Sequence, residues 1–158
     1  MVFITLGSQK FQFNRLLKKI DMLVVEGIIK EQVFAQRGYS DYTPINYGYA
    51  DFLNRDEFQN KLKESTIVIT HAGTGAIIGS VKAGKKVIAV PRLKKYDEHV
   101  DDHQVQIVKQ FEEMDIIEPC FELENLGIAY DNILKKEYKK YVSNTSVIIE
   151  SIVEFLEK

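Results

Sequence analysis

The chain has 158 residues, carries 21 Lys and Arg against 23 Asp and Glu, and has a sequence pI near 6.0. That length predicts one domain around a single core, and the charge balance leaves no global basic field, which excludes duplex nucleic acid as a partner. A lone cysteine, Cys120, excludes an internal disulfide; no apolar run approaches the ~20 residues that span a bilayer; and Met1 to Leu6 lacks the make-up of a signal peptide, so the expected setting is a reducing cytoplasm.

Short apolar runs alternate with segments of helical period, which predicts βα units, an α/β fold with a mainly parallel sheet flanked by helices. Val2 to Leu6 reads as the first strand, ending at Gly7-Ser8-Gln9. Phe13, Leu16, Leu17, Ile20, Leu23, Val24 and Ile28 then recur at helical spacing, with Gly27 as the stop. Gly7 lets backbone N–H groups and the Ser8 hydroxyl meet an anion at the start of that helix, and an ordinary turn with Ser8 as N-cap accounts for the same residues equally well. Gln32 to Gln36 reads as a second strand, Gly38 to Pro44 as a loop, Ile45 to Tyr49 as a third strand and Asp56 to Leu62 as a short helix.

The run Ile67-Val68-Ile69-Thr70-His71-Ala72-Gly73-Thr74-Gly75-Ala76 predicts a strand, a glycine-spaced turn and a helix start. Helix-opening N–H groups lack intrahelical partners and carry the positive end of the dipole, so this is the local pattern of an anion site. Gly73 and Gly75 let a diphosphate approach the backbone, His71 can donate to a phosphate or sugar hydroxyl, and Thr74 adds a hydroxyl. The bland alternative is a hydrogen-bonded histidine at a strand end, with glycines that permit tight helix–sheet packing. The glycine order departs from the dinucleotide fingerprint and no Walker lysine follows, which disfavours NAD and P-loop chemistry and leaves no cofactor expected.

Ala76 to Ala83 predicts a helix ending at Gly84, then a strand, Val87 to Val90, stopped by Pro91, and a loop from Arg92 to about Glu98. His99 to Met114 reads as a helix with Val105, Ile107, Val108 and Phe111 inward, and Ile116-Ile117 as an edge strand. Asn144 can cap a last helix whose stripe is Val147, Ile148, Ile152, Val153 and Phe155. Lys82, Lys85, Lys86, Arg92, Lys94 and Lys95 read either as a local positive loop near an anionic donor or headgroup, or as a solvated loop offset by the acids that follow. Asp102-His103-Gln104 offers the mixed donors and acceptors that suit sugar hydroxyls, or a plain cap. His99 and His103 lie four apart but lack a third ligand, so no metal site is expected.

In this order, Ile69-Thr70-His71-Ala72-Gly73-Thr74-Gly75, Gly84-Lys85-Lys86-Val87-Ile88-Ala89-Val90-Pro91 and Asp102-His103-Gln104 resemble the C-terminal, donor-binding half of the family 28 glycosyltransferases, of which MurG-like enzymes are members. The opening Phe3-Ile4-Thr5-Leu6-Gly7-Ser8 and the stretch from Pro91 to Gln104 are similar to the free-standing PssE-type and EpsF-type subunits of bacterial exopolysaccharide and capsule synthesis. The resemblance implies a Rossmann-like half of a GT-B fold. It implies an inverting glycosyltransferase that moves a hexose from a UDP-sugar donor to a lipid-linked saccharide, with a membrane-anchored PssD-type subunit supplying the acceptor side and the general base. The chain would then sit at the inner face of the cell membrane through that partner, and the free chain could self-associate through apolar surface meant for it. By the same resemblance, Gly7 and Ser8 match a phosphate-side loop, His71, Gly73, Thr74 and Gly75 match the loop facing the diphosphate, and His103 and Gln104, beside Asp102, match the pair that reads donor-sugar hydroxyls. One departure stands out: counting back from Gly84, the position of the ribose-binding glutamate of MurG-like enzymes is Gly79. That departure gives weight to an alternative, a non-catalytic subunit that stabilises a glycosyltransferase partner.

Overall fold

The computed structural model describes residues 1–140 and 145–157. Six short strands form one parallel sheet: β1 (Val2–Thr5), β2 (Val33–Gln36), β3 (Gly48–Ala50), β4 (Ile67–His71), β5 (Lys86–Val90) and β6 (Glu118–Pro119), in the order β3-β2-β1-β4-β5-β6. The helices are α1 (Asn14–Val25), α2 (Arg55–Glu64), α3 (Thr74–Lys82), α4 (His103–Glu113), α5 (Leu126–Lys135) and α6 (Thr145–Leu156). This is the Rossmann-like architecture expected from the alternation of periods. The chain direction across the sheet reverses between β1 and β4, and the crevice beyond their carboxyl ends is where ligands of such sheets bind.

Alternate strand residues feed two cores. Val2, Ile4, Ile69 and Ile88 pack with α1 and α5, while Phe3, Val68 and Val87 pack on the opposite face with Ile77 and Val81 of α3 and Val108 and Phe111 of α4. Burial of the strands on both faces explains their near-continuous apolar reading, and each enclosed Ile or Phe contributes roughly 1.5–3 kcal/mol. Helix ends follow local chemistry. Gly27 and Gly84 take left-handed φ of 73° and 77° just past α1 and α3, and Asn54 with Glu57 forms a reciprocal capping box at α2.

Several elements shift from their sequence-based bounds. The helix expected from His99 starts at His103, because Asp97 turns left-handed at φ 55°, the Glu98 carboxylate is drawn inward, and the Asp101 carboxylate accepts from the His103 N–H. Its buried side is Gln104, Val108 and Phe111, with Ile107 only partly covered. Ile116 and Ile117 fill the core ahead of the edge strand, which forms two residues later at Glu118–Pro119 after Asp115 turns at φ 57°. The third strand likewise lies at Gly48–Ala50, at the end of the predicted run. α5 has no counterpart among the predicted elements, although Leu126, Ala129, Tyr130 and Ile133 are its buried face at helical spacing. In α6, Ile152 is buried and Val153 exposed; Asn144 and the side chains of Val147 and Ile148 lie outside the described residues.

The six basic residues between 82 and 95 do not form one positive loop. Lys85 and Lys86 sit at the amino end of β5, where the Lys85 ammonium donates to the Lys63 and Ser65 carbonyls at the end of α2, and that of Lys86 to the Ile133 and Lys136 carbonyls at the end of α5. Lys94 and Lys95 lie at the opposite, carboxyl end, and Arg92 is 1% exposed. The carbonyls that end α2 and α5 hold Lys85 and Lys86 at one end of β5, the length of that strand away from Lys94 and Lys95.

Candidate functional site

Two loops meet at the switch point. The one after β1 carries Gly7 and Ser8; the one after β4 carries Ala72 and Gly73 and runs into α3. Gly7 has φ 75°, and a Cβ on it would stand 2.6 Å from His71 Nε2. On Gly73 a Cβ would stand 2.2 Å from His71 Cε1. The imidazole therefore fills the space that side chains at these two glycines would need, which fixes why both are glycine. Ser8 is not the cap of α1: that helix starts at Asn14, and its cap position, Phe13, makes no side-chain cap bond.

The His71 ring is held from behind. Gln104 Oε1 accepts from the backbone N–H groups of Ala72 (3.3 Å) and Arg92 (3.0 Å), which assigns the oxygen and turns Nε2 towards His71 Nδ1 at 3.4 Å. An amide NH₂ can only donate, so Nδ1 is the acceptor and the ring proton sits on Nε2. Burial, the nearby Arg92 charge and His99 push the His71 pKa down to about 3, leaving a neutral imidazole. Among the described residues Nε2 finds no hydrogen-bond partner. Among the described residues the sole fully enclosed side-chain nitrogen or oxygen without a partner is Arg92 Nε, so His71 Nε2 opens to the gap between the glycines.

Beside this gap, an open cleft of about 460 Å³ lies where the end of β1 meets α2 and α3. Gly7, Ser8, Gln36, Gln59, Gly75 and Gly79 line it together with Phe58, and none of its lining residues is charged. Gln36 Oε1 is committed to the Leu53 N–H. The cleft faces the first turn of α3, where Thr74 and Gly75 supply helix-opening N–H groups. Gly75 and Gly79 both have open space where a Cβ would be. The arrangement can seat an anion at the helix start and an uncharged, partly aromatic group between α2 and α3.

The structure thus sets Gly7 and Gly73 against His71, lines the neighbouring cleft with Gly7, Ser8 and Gly75, puts Thr74 at the first position of α3, and places Gln104 behind the ring with its polar groups engaged. Asp102 and His103 lie apart from the cleft. The Asp102 carboxylate accepts from the Lys94 N–H at 2.8 Å, and the His103 side chain is 58% exposed, 3.8 Å from Asp101. The sequence reading missed Gln36, which the pairing of β2 with β1 brings near the turn, and Phe58 and Gln59, which the packing of α2 brings there. It also missed Arg92 as a site-building group, although an arginine directly after a strand-stopping proline is a signal to examine. Among the described residues no three His, Cys, Asp or Glu side chains gather in a way that could hold a metal ion.

Known proteins resemble this chain in sequence and in fold. Over 112 residues the chain is 29% identical to the UDP-N-acetylglucosamine--N-acetylmuramyl-(pentapeptide) pyrophosphoryl-undecaprenol N-acetylglucosamine transferase of Borrelia turicatae, covering 70% of this chain and 29% of that protein. Over 93 residues it is 31% identical to the UDP-N-acetylglucosamine transferase subunit ALG13 of Kluyveromyces lactis, covering 51% of this chain and 45% of that one. The chain thus spans less than half the length of these relatives. In fold it is similar to the glycotransferase of kitacinnamycin (TM-score 0.64, 15% identity, 85% of this chain and 35% of that one) and to Acinetobacter baumannii MurG (TM-score 0.57, 19% identity, 84% and 41%). Residues 1–156 match the glycosyltransferase family 28 C-terminal domain, and the chain belongs to that family.

Proposed function

We propose that this chain is the donor-binding part of a two-part inverting glycosyltransferase, transferring a hexose from a UDP-sugar to a lipid-linked saccharide in bacterial exopolysaccharide or capsule synthesis. The observation that carries the reading is the neutral His71 ring between Gly7 and Gly73, its Nε2–H open beside the cleft at the start of α3. In this reading the diphosphate rests on the α3 N-terminus, the Gly7 N–H and His71 Nε2–H, with the Ser8 and Thr74 hydroxyls beside it. The uncharged cleft between α2 and α3 takes the nucleoside. The acceptor oxygen forms a bond to the anomeric carbon as the bond from that carbon to the diphosphate oxygen breaks. Donors fixed before the reaction stabilise charge building on the departing UDP. The acceptor proton goes to a base on the partner.

A membrane-anchored PssD-type subunit is the proposed partner and would hold this chain at the inner face of the membrane; no helix among the described residues is long and apolar enough to cross a bilayer. The name of the ALG13 relative, a transferase subunit, supports a divided enzyme. Exposed Ile149, Val153 and Leu156 form an apolar row on α6 of the kind a partner covers, and the free chain would self-associate through it. A second reading, a non-catalytic subunit that stabilises its partner, is favoured by Gly79, which leaves the cleft without a carboxylate for a ribose diol. Calorimetry with UDP separates the two. Binding to the isolated chain supports the donor role; binding to the coexpressed pair alone supports the accessory role. A panel of UDP-hexoses with the pair, coexpressed from the neighbouring open reading frame, identifies the sugar.

A further inference from the structure

Arg92 follows Pro91 at the end of β5, is 1% exposed, and the functional reading leaves it without a task. Its guanidinium reaches across the sheet end into the loop after β1. Nη2 donates to the Leu6 carbonyl at 2.6 Å, and Nη1 donates to the carbonyls of Phe11 (3.2 Å), Gln12 (3.0 Å) and Glu98 (3.4 Å). The group lies over Phe13, with Cζ 5.1 Å from the ring centroid. Nε is enclosed and makes no bond.

The nearby Glu98 carboxylate supports this charge, although its direct partner is Arg15. Glu98, 0% exposed, takes a two-pronged pair from Arg15 (2.9 and 3.1 Å) and the Leu93 N–H (3.0 Å), and Gln12 donates to the Tyr96 carbonyl at 2.9 Å. Burial lowers the Arg92 pKa to about 10, so the group stays charged at neutral pH. A fork of this shape satisfies several carbonyls at fixed angles, which an ammonium cannot copy. Burying a charge with one nitrogen unsatisfied is costly where packing alone would serve, and such costs gather where position matters.

The peptide between Leu6 and Gly7 is trans, and in a planar trans peptide the N–H points opposite to the carbonyl. A Leu6 carbonyl held inward on Arg92 therefore turns the Gly7 N–H outward, and Gly7 lines the cleft and makes no backbone hydrogen bond to any other described residue. We propose that Arg92 is the positioning residue of the anion site: its buried fork sets the loop after β1 so that the Gly7 N–H is aimed at the ligand, without touching that ligand. This rests on the donor-binding reading above.

The test compares wild type, Arg92→Lys and Arg92→Met by UDP calorimetry, thermal melting, and backbone amide order parameters for residues 7–12. Arg92→Lys keeps the charge and loses the fork. At a temperature where it is fully folded, its UDP affinity is expected to fall about tenfold or more, with residues 7–12 loosened and β4 and β5 unchanged. Arg15→Met, which removes the outer partner of Glu98, is expected to lower the melting temperature while leaving the order of residues 7 and 8 intact. If Arg92→Lys melts lower yet binds UDP as wild type does, or if residues 7–12 stay rigid, the positioning role is overturned. Should Arg92→Met not fold, the lysine variant carries the test. Absence of UDP binding by wild type, alone and with its partner, sinks the donor-binding reading instead, and the order parameters then decide whether Arg92 sets the loop.

Discussion

Gln104 Nε2 faces His71 Nδ1 at 3.4 Å while Gln104 Oε1 takes two backbone N–H groups, one from each of the loops after β4 and β5. One buried carboxamide thus joins two loops and sets the tautomer of the imidazole. Replacing it by leucine keeps the volume and strands both N–H groups, each at a cost of roughly 1–3 kcal/mol. Gln104→Leu is expected to lower the unfolding free energy by about 2–6 kcal/mol in urea, with UDP affinity falling as well. A loss below about 1 kcal/mol would show that water replaces the amide and that the link is dispensable.

The pH dependence follows from His71. Its folded pKa is about 3, against an ordinary 6.5 once unfolded, so the unfolded chain binds the extra proton between those values. Stability from the neutral ring is full above about pH 6.5 and is lost progressively as pH falls towards 3. Thermal midpoints measured from pH 7 down to 4.5, above most carboxylate titrations, are expected to fall for wild type and to flatten for His71→Asn. Parallel curves would mean that His71 titrates freely, which burial between two glycines does not permit.

Gly73→Ala and Gly75→Ala are near neighbours with opposite expectations. At 73 the new methyl would stand 2.2 Å from the His71 ring, whereas at 75 it meets nothing within 4 Å. Gly73→Ala is expected to displace the imidazole, cutting UDP affinity and lowering the melting temperature. Gly75→Ala, in the first turn of α3, is expected to hold or raise that temperature. Equal effects at the two positions, read by melting and calorimetry, would remove the case for His71 as the prop between the loops.

Much of this was legible in the chain because strands buried on both faces read as apolar runs, and because glycine stops and prolines punctuate them. The turn at His71 to Gly75 emerged in place for that reason: strand, break and helix are all local signals. What was not legible depends on contacts far apart in sequence. Arg92 reads as one more basic residue in a loop until Leu6, 86 residues earlier, is seen to be its acceptor. Gln104 reads as a sugar-facing amide until the ends of β4 and β5 are brought to it. The start of α4 moved to His103 because Glu98 is claimed by Arg15, 83 residues away, a tertiary partner that outweighs local helix preference. α5 carries a regular apolar stripe, and its omission is a failure to read the pattern rather than a limit of the sequence.

Gly79 offers the cleanest separation of binding from folding. It lies in the second turn of α3, lines the cleft, and a Cβ there meets nothing within 4 Å. Gly79→Ala is therefore expected to stabilise the protein by roughly 0.5–1 kcal/mol through helix propensity, with UDP affinity little changed. Gly79→Leu keeps most of that gain but sends a branched side chain into the cleft between α2 and α3, the proposed nucleoside site. Its melting temperature is expected to stay at or above that of wild type while calorimetric UDP binding is lost. A leucine variant that binds UDP undiminished would move the nucleoside out of this cleft, and one that melts well below wild type would mean that α2 closes onto α3 in solution.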